Sequence, residues 1–107
     1  MARNINVVDY DVVTITDTAG TIVDRGALSA VPVEAHSFQG ILETATARMR
    51  GDGVAPTASE GVLISLGDKV TLDINQIGVM NFIRTGATSG VLRGHYFNVE
   101  ASVLLGG

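Results

Sequence analysis

Residues 7–16 read VVDYDVVTIT, and as a strand they place Asp9, Asp11, Val13 and Ile15 on one side and Val8, Tyr10, Val12 and Thr14 on the other. The second set carries no charge, so it is the expected core face, with the two aspartates in solvent. DTAG at 17–20 supplies turn chemistry before TIVD, and residues 7–23 therefore predict a β-hairpin. The next stretch, RGALSAVPVE, has no clean period, and Pro32 would spoil a helix interior or a central strand, so it reads as a connection. GILETATARMRG, residues 40–51, is rich in helix formers and has Gly51 at a possible C-cap. Thr44 and Thr46 fit a pleated surface better, and the segment is read as a strand with Ile41, Glu43, Ala45, Ala47 and Met49 on one face.

The clearest pattern is GVLISLGDKVTLDIN at 61–75: an apolar run from Val62 to Leu66, a turn at Gly67 and Asp68, then Val70, Leu72 and Ile74 alternating with Lys69, Thr71 and Asp73. A further apolar run covers 77–84, and TGATSG is a loop. In the closing strand Val91, Arg93, His95, Phe97, Val99, Ala101 and Val103 share one face, with Leu92 and Tyr96 opposite. Seven or eight short strands separated by turns define the expected fold class: one all-β domain over residues 1–107, a β-sandwich or jelly-roll-like barrel. Residues 1–12 are read as an extended N-terminal arm.

Composition narrows this picture. The core is aliphatic, because 46% of the 107 residues are hydrophobic but only three Phe, two Tyr and no Trp are present. Charged residues are 17%, below the usual quarter, which points to an outer face partly covered by partners or by copies of the chain. A net charge of −4 with scattered basic residues argues against nucleic acid. The absence of cysteine excludes disulfides, thiolate metal sites and thiol catalysis. No apolar window is long enough for a membrane-spanning helix, and the first residues do not form a signal peptide.

The candidate chemistry is sparse. RMRGDGVAPTASEG, residues 48–61, contains the triplet Arg50-Gly51-Asp52, but Gly51-Asp52-Gly53 is also ordinary hairpin-tip chemistry. It has neither the lysine nor the following helix of a phosphate-binding loop. His36 and His95 are too far apart in sequence to define a metal site. Asp9 and Asp11 lack the aromatic cleft of a glycosidase, and no Gly-x-Ser-x-Gly elbow occurs. No catalytic, cofactor or metal residues are assigned, and the chain is not expected to be an enzyme.

One resemblance goes further. ETATARMRGDGVAPTASEGVLISLGDKVTLD, followed by FIRTGATSGVLRGHYF, resembles a family of small tailed-bacteriophage virion β-proteins in which an R-x-R-x-D-G-x-x-P-T turn, a G-x-x-L-x-x-G-D hairpin and an F-I-R-T-G-A-T-S-x-x-L edge recur in order. The similarity spans about half the chain, from Leu42 to Phe97; the first forty residues have no counterpart. It implies a virion structural protein, most simply a capsid decoration (cement) protein acting as a homotrimer on the major capsid protein, at the virion surface after assembly in the bacterial cytoplasm. Arg48, Arg50, Asp52, Arg84, Arg93 and the segment around Pro32 are then the expected subunit or capsid contacts, against the alternative that the arginines are solvated strand residues. A tail, collar or fibre module, or a carbohydrate-binding β-sandwich for host adhesion, are the competing readings.

Overall fold

Seven strands and three single-turn helices follow one another in the computed structural model, which describes residues 5–28 and 30–106. In chain order they are β1 (Val7–Ile15), α1 (Ile22–Arg25), β2 (Ser37–Glu43), β3 (Ala47–Arg50), β4 (Val62–Ile64), β5 (Lys69–Asp73), α2 (Ile74–Ile77), β6 (Asn81–Arg84), β7 (Gly90–Phe97) and α3 (Ala101–Leu104). The strands form two antiparallel sheets, one of four in the order β1-β7-β2-β5 and one of three in the order β4-β3-β6. The protein is an all-β, sandwich-like domain, as the strand patterning predicts.

Both sheets feed one aliphatic core. The larger contributes Val13, Ile15, Phe38, Leu42, Val70, Leu72, Leu92 and Tyr96; the smaller contributes Ala47, Ile64 and Phe82; and Ile22 and Ile77 enter from the helices. Alternation explains the larger sheet: Leu92, Gly94 and Tyr96 in β7 and Phe38, Gly40 and Leu42 in β2 face inward, while Arg93, His95, Gln39 and Ile41 face outward. Gly40 and Gly94 sit opposite each other on the inner face. A Cβ at Gly94 would lie 2.3 Å from the Gln39 carbonyl oxygen and 2.7 Å from the Phe38 ring. The two strands therefore approach closely there, and Phe38, edge-on to Tyr96 with centroids 5.2 Å apart, fills the space that side chains would have taken.

The face of β1 is the reverse of the one expected. Asp11, Val13 and Ile15 are buried, whereas Tyr10 is 46% exposed and Thr14 is exposed. The sequence reading put Asp11 in solvent because a lone carboxylate is costly to bury. Here it is not alone: Asp11 Oδ1 accepts from the backbone N–H groups of Val12, Ala27 and Leu28 at 2.8, 2.8 and 3.2 Å, and Oδ2 accepts from the Tyr96 hydroxyl at 3.0 Å. One buried carboxylate thus fixes the connection at 27–28 to the sheet. Of the expected arm at residues 1–12, Val7 onward belongs to β1, and residues 1–4 lie outside the described residues.

Three local readings also change. TIVD is not the second half of a hairpin. Gly20 instead pairs with Phe82 of β6, and Thr21-Ile22-Val23-Asp24 is a capping box, in which Thr21 Oγ1 accepts from the Asp24 N–H and the Asp24 carboxylate accepts from the Thr21 N–H. Residues 40–51 are extended but belong to two strands in different sheets. The corner between them is Thr44, at φ 77°, where the Ala45 N–H donates to the Glu43 carbonyl at 2.9 Å in a γ-turn. Likewise the turn at Gly67 (φ 86°) joins β4 to β5, which lie in different sheets, and β5 pairs with β2 rather than folding back on β4. Val70 and Leu72 face inward as expected, but Ile74 opens α2 and is 41% exposed.

Candidate functional site: the outer face of the larger sheet

On the outer face of β7, Arg93 and His95 stand on either side of the inward-facing Gly94. His95 lies opposite Tyr10 of β1 and Gln39 of β2, and Arg93 lies opposite Val12 and Ile41. Between these two rows is a groove of ≈ 330 Å³, lined also by Phe97 and Glu43. Its rings are in contact: Tyr10 and His95 have centroids 5.5 Å apart, and His95 and Phe97 meet edge-on at 6.2 Å.

The polar side of the groove is built from partners on different strands. Arg93 Nε donates to Glu43 Oε1 at 2.9 Å, and Arg93 Nη1 donates to the Tyr10 hydroxyl at 3.4 Å. These contacts hold the guanidinium above its ordinary pKa, the tyrosine hydroxyl first and the carboxylate second. Gln39 Nε2 donates to Thr71 Oγ1 at 3.0 Å, which leaves its amide oxygen as an acceptor. No single strand contains this arrangement, so the sequence pattern offered no direct signal for it beyond the outward alternation of Arg93, His95 and Phe97.

The other arginines singled out in the sequence do not join this site. Arg48 Nε and Nη1 donate to the carbonyls of Ala58 and Gly61 at 3.1 and 2.9 Å, which pins the loop before β4. Arg50 forks onto Asp52 at 2.7 and 3.0 Å, so the charges of the Arg-Gly-Asp triplet neutralise each other within the turn. The hydrogen bond from Arg50 holds the Asp52 carboxyl below the ordinary carboxylate range. Arg84 Nη1 donates to Ser89 Oγ at 3.3 Å and Nη2 approaches Asp17 at 3.8 Å. Pro32 lies between Val31, packed against the core, and Val33, which is fully exposed.

Nor do the remaining acids and histidines form a centre. Among the described residues no three His, Asp or Glu side chains come together in a way that could hold a metal ion. The aspartates of β1 finish its edge: Asp9 Oδ1 accepts from the Tyr10 N–H and Asp11 Oδ1 from the Val12 N–H, both at 2.8 Å. Edge donors satisfied from within the strand are a poor template for a further strand. No helix among the described residues is long and apolar enough to cross a membrane. Comparisons with protein-family models, curated proteins and solved structures return no match.

Proposed function

We propose that this protein is a structural component of a tailed-bacteriophage particle, a decoration protein that docks as a trimer on the major capsid protein and slows opening of the head shell. One observation carries the reading: the ordered motifs between residues 42 and 97 resemble small virion β-proteins. In the fold these motifs build β3 to β7, the smaller sheet with its loops and two of the four strands of the larger one.

Surface chemistry supports it. Val33, Val54, Val62, Leu63 and Leu66 are each at least half exposed, in a chain with few charges. Apolar groups left in water gain roughly 25 cal/mol per Å² when a neighbour covers them, and many such modest contacts add up on a repeating lattice. Cation-to-carbonyl contacts such as those of Arg48 give the smaller sheet a fixed shape to present.

Cryo-electron microscopy of the virion tests the proposal, with quantitative mass spectrometry of purified particles beside it. Density on the head lattice, and a copy number approaching that of the major capsid protein, are expected. Density confined to a tail or collar ring overturns the decoration reading in favour of a tail module, and absence from the particle overturns both.

A further inference from the structure

The chain has five phenylalanines and tyrosines, and three of them, Phe38, Phe82 and Tyr96, are fully buried in the core. The other two, Tyr10 and Phe97, both line the groove on the outer face of the larger sheet, with the His95 ring between them. Every Phe and Tyr ring that the core does not bury is therefore on one patch. Beside the rings stand a carboxylate, a guanidinium and an amide: Glu43 and Arg93, each about half exposed (50% and 47%) and joined at 2.9 Å, and Gln39.

We propose that this groove binds a neutral saccharide, one pyranose ring at a time. A pyranose has an apolar C–H face that packs on an aromatic ring, and adjacent hydroxyls that act as donors and acceptors at once. Tyr10 and Phe97 offer the first surface. Glu43 accepts hydroxyl protons, Arg93 donates from a planar fork, and the Gln39 amide oxygen accepts. The cross-strand hydrogen bonds hold these groups in place before any ligand arrives, which lowers the ordering cost of binding.

Other ligand classes fit less well. An anion meets Glu43 against the cation it would need, in a protein of net charge −4. A metal finds only Glu43 and His95 among the lining residues. The groove, ≈ 330 Å³ and open to solvent, is at the small end of ligand sites, which run from about 300 to 1,000 Å³, and too shallow to bury a large apolar molecule. This inference does not depend on the decoration reading: a saccharide site suits a protein displayed on any particle surface.

The test is a ¹⁵N-resolved NMR titration of the full chain with methyl glucoside, methyl galactoside, methyl mannoside and N-acetylglucosamine, with glucuronate, inorganic phosphate and adenosine as contrasting probes. Saturable shifts are expected at Gln39, Ile41, Arg93, Gly94 and His95 for at least one neutral sugar, with Kd on the order of 1–10 mM, as a shallow open site allows. Tyr10→Ala should weaken that binding by roughly tenfold, the equivalent of about 1.4 kcal/mol, and Glu43→Gln by a smaller factor, while both spectra stay dispersed like the parent. Absence of saturation with all four sugars, shifts centred elsewhere, an unchanged Kd in Tyr10→Ala, or tighter binding of glucuronate, phosphate or adenosine would each overturn the proposal.

Discussion

The two sheets are held by different means. In the larger one, β1, β2 and β7 are seven to nine residues long, and most of the buried side chains belong to it. The strands of the smaller are three or four residues long, and Val62 and Leu63 on its β4 edge are 61% and 51% exposed. Its loops are fastened by polar contacts: Arg48 to the carbonyls of Ala58 and Gly61, the paired hydroxyls of Thr46 and Thr85, and Arg50 on Asp52. Burial gives the larger sheet a stable inner face and leaves its outer face free to carry a ligand groove. The smaller sheet, with little area to bury, relies on directional hydrogen bonds that fix loop shape but contribute little to global stability.

The contrast can be tested by substitution, and the largest effect is expected at Asp11. Replacing it with alanine leaves the buried Tyr96 hydroxyl and the part-buried Val12 and Leu28 N–H groups without this acceptor, while the Ala27 N–H keeps the Val12 carbonyl at 3.0 Å. Chemical denaturation of Asp11→Ala should show a loss of about 3 kcal/mol or more, since each unsatisfied buried group costs about 1–3 kcal/mol. A loss near that of an exposed residue would mean that water replaces the carboxylate and that the 27–28 connection is not held by it.

Tyr96 comes next, and its signature is alkaline. Burial first, and the neighbouring Asp11 charge second, push its phenol well above the ordinary value of 10.0. A raised folded-state pKa means that the contribution is complete below pH 10 and is lost as pH rises beyond it, because the unfolded chain ionises first. The unfolding midpoint should therefore fall steeply above that pH in the parent. Tyr96→Phe should flatten that fall while lowering stability at neutral pH by about 1–2 kcal/mol.

At the corner where the chain leaves one sheet for the other, the sign reverses. Thr44 is a β-branched residue at φ 77°, which costs on the order of 1–3 kcal/mol of backbone strain. Thr44→Gly should raise stability by about 1 kcal/mol once the greater freedom of an unfolded glycine is subtracted. A destabilised variant would show that the threonine side chain, not the backbone, holds the corner.

The smaller sheet should respond locally. Arg48→Ala is expected to cost only about 0.5–1.5 kcal/mol in global unfolding, while amide exchange in the loop from Ala58 to Gly61 accelerates. Smallest of all is Arg50→Ala, which should leave the melting midpoint in place. Its readout is the Asp52 carboxyl, which titrates below the ordinary range in the parent and should return toward it in the variant. A depressed folded-state pKa favours the folded state above the ordinary carboxylate range and loses that advantage as pH falls through it, but on an exposed turn solvent screens most of the effect.

Some of this was legible in the chain. Period-two alternation separated the two faces of β5 and β7, though it carried the last strand on to Val103, where residues 101–104 instead form α3, and the glycine-punctuated runs identified the all-β class. The Thr-x-x-Asp capping box at residues 21–24 was a readable helix signal, but the preceding DTAG turn made a hairpin the simpler reading. The face of β1 was misread because the pattern assigns a carboxylate to solvent, and the groups that satisfy Asp11 come from 16, 17 and 85 residues away as well as from its neighbour Val12.

Alternation, turn residues and the scarcity of charge and aromatics are local properties, and each acts on the backbone within a few residues; they were enough to determine the all-β class and most of the strand positions, but not the elements at 20–25 and 101–104. Which strands pair, where the chain crosses between sheets, and which side of β1 is buried depend on contacts between distant segments. Those same contacts bring Tyr10, Gln39, Glu43, Arg93 and Phe97 around one groove. That assembly is a matter of register between three strands, and register is decided only when both sheets close on their common core.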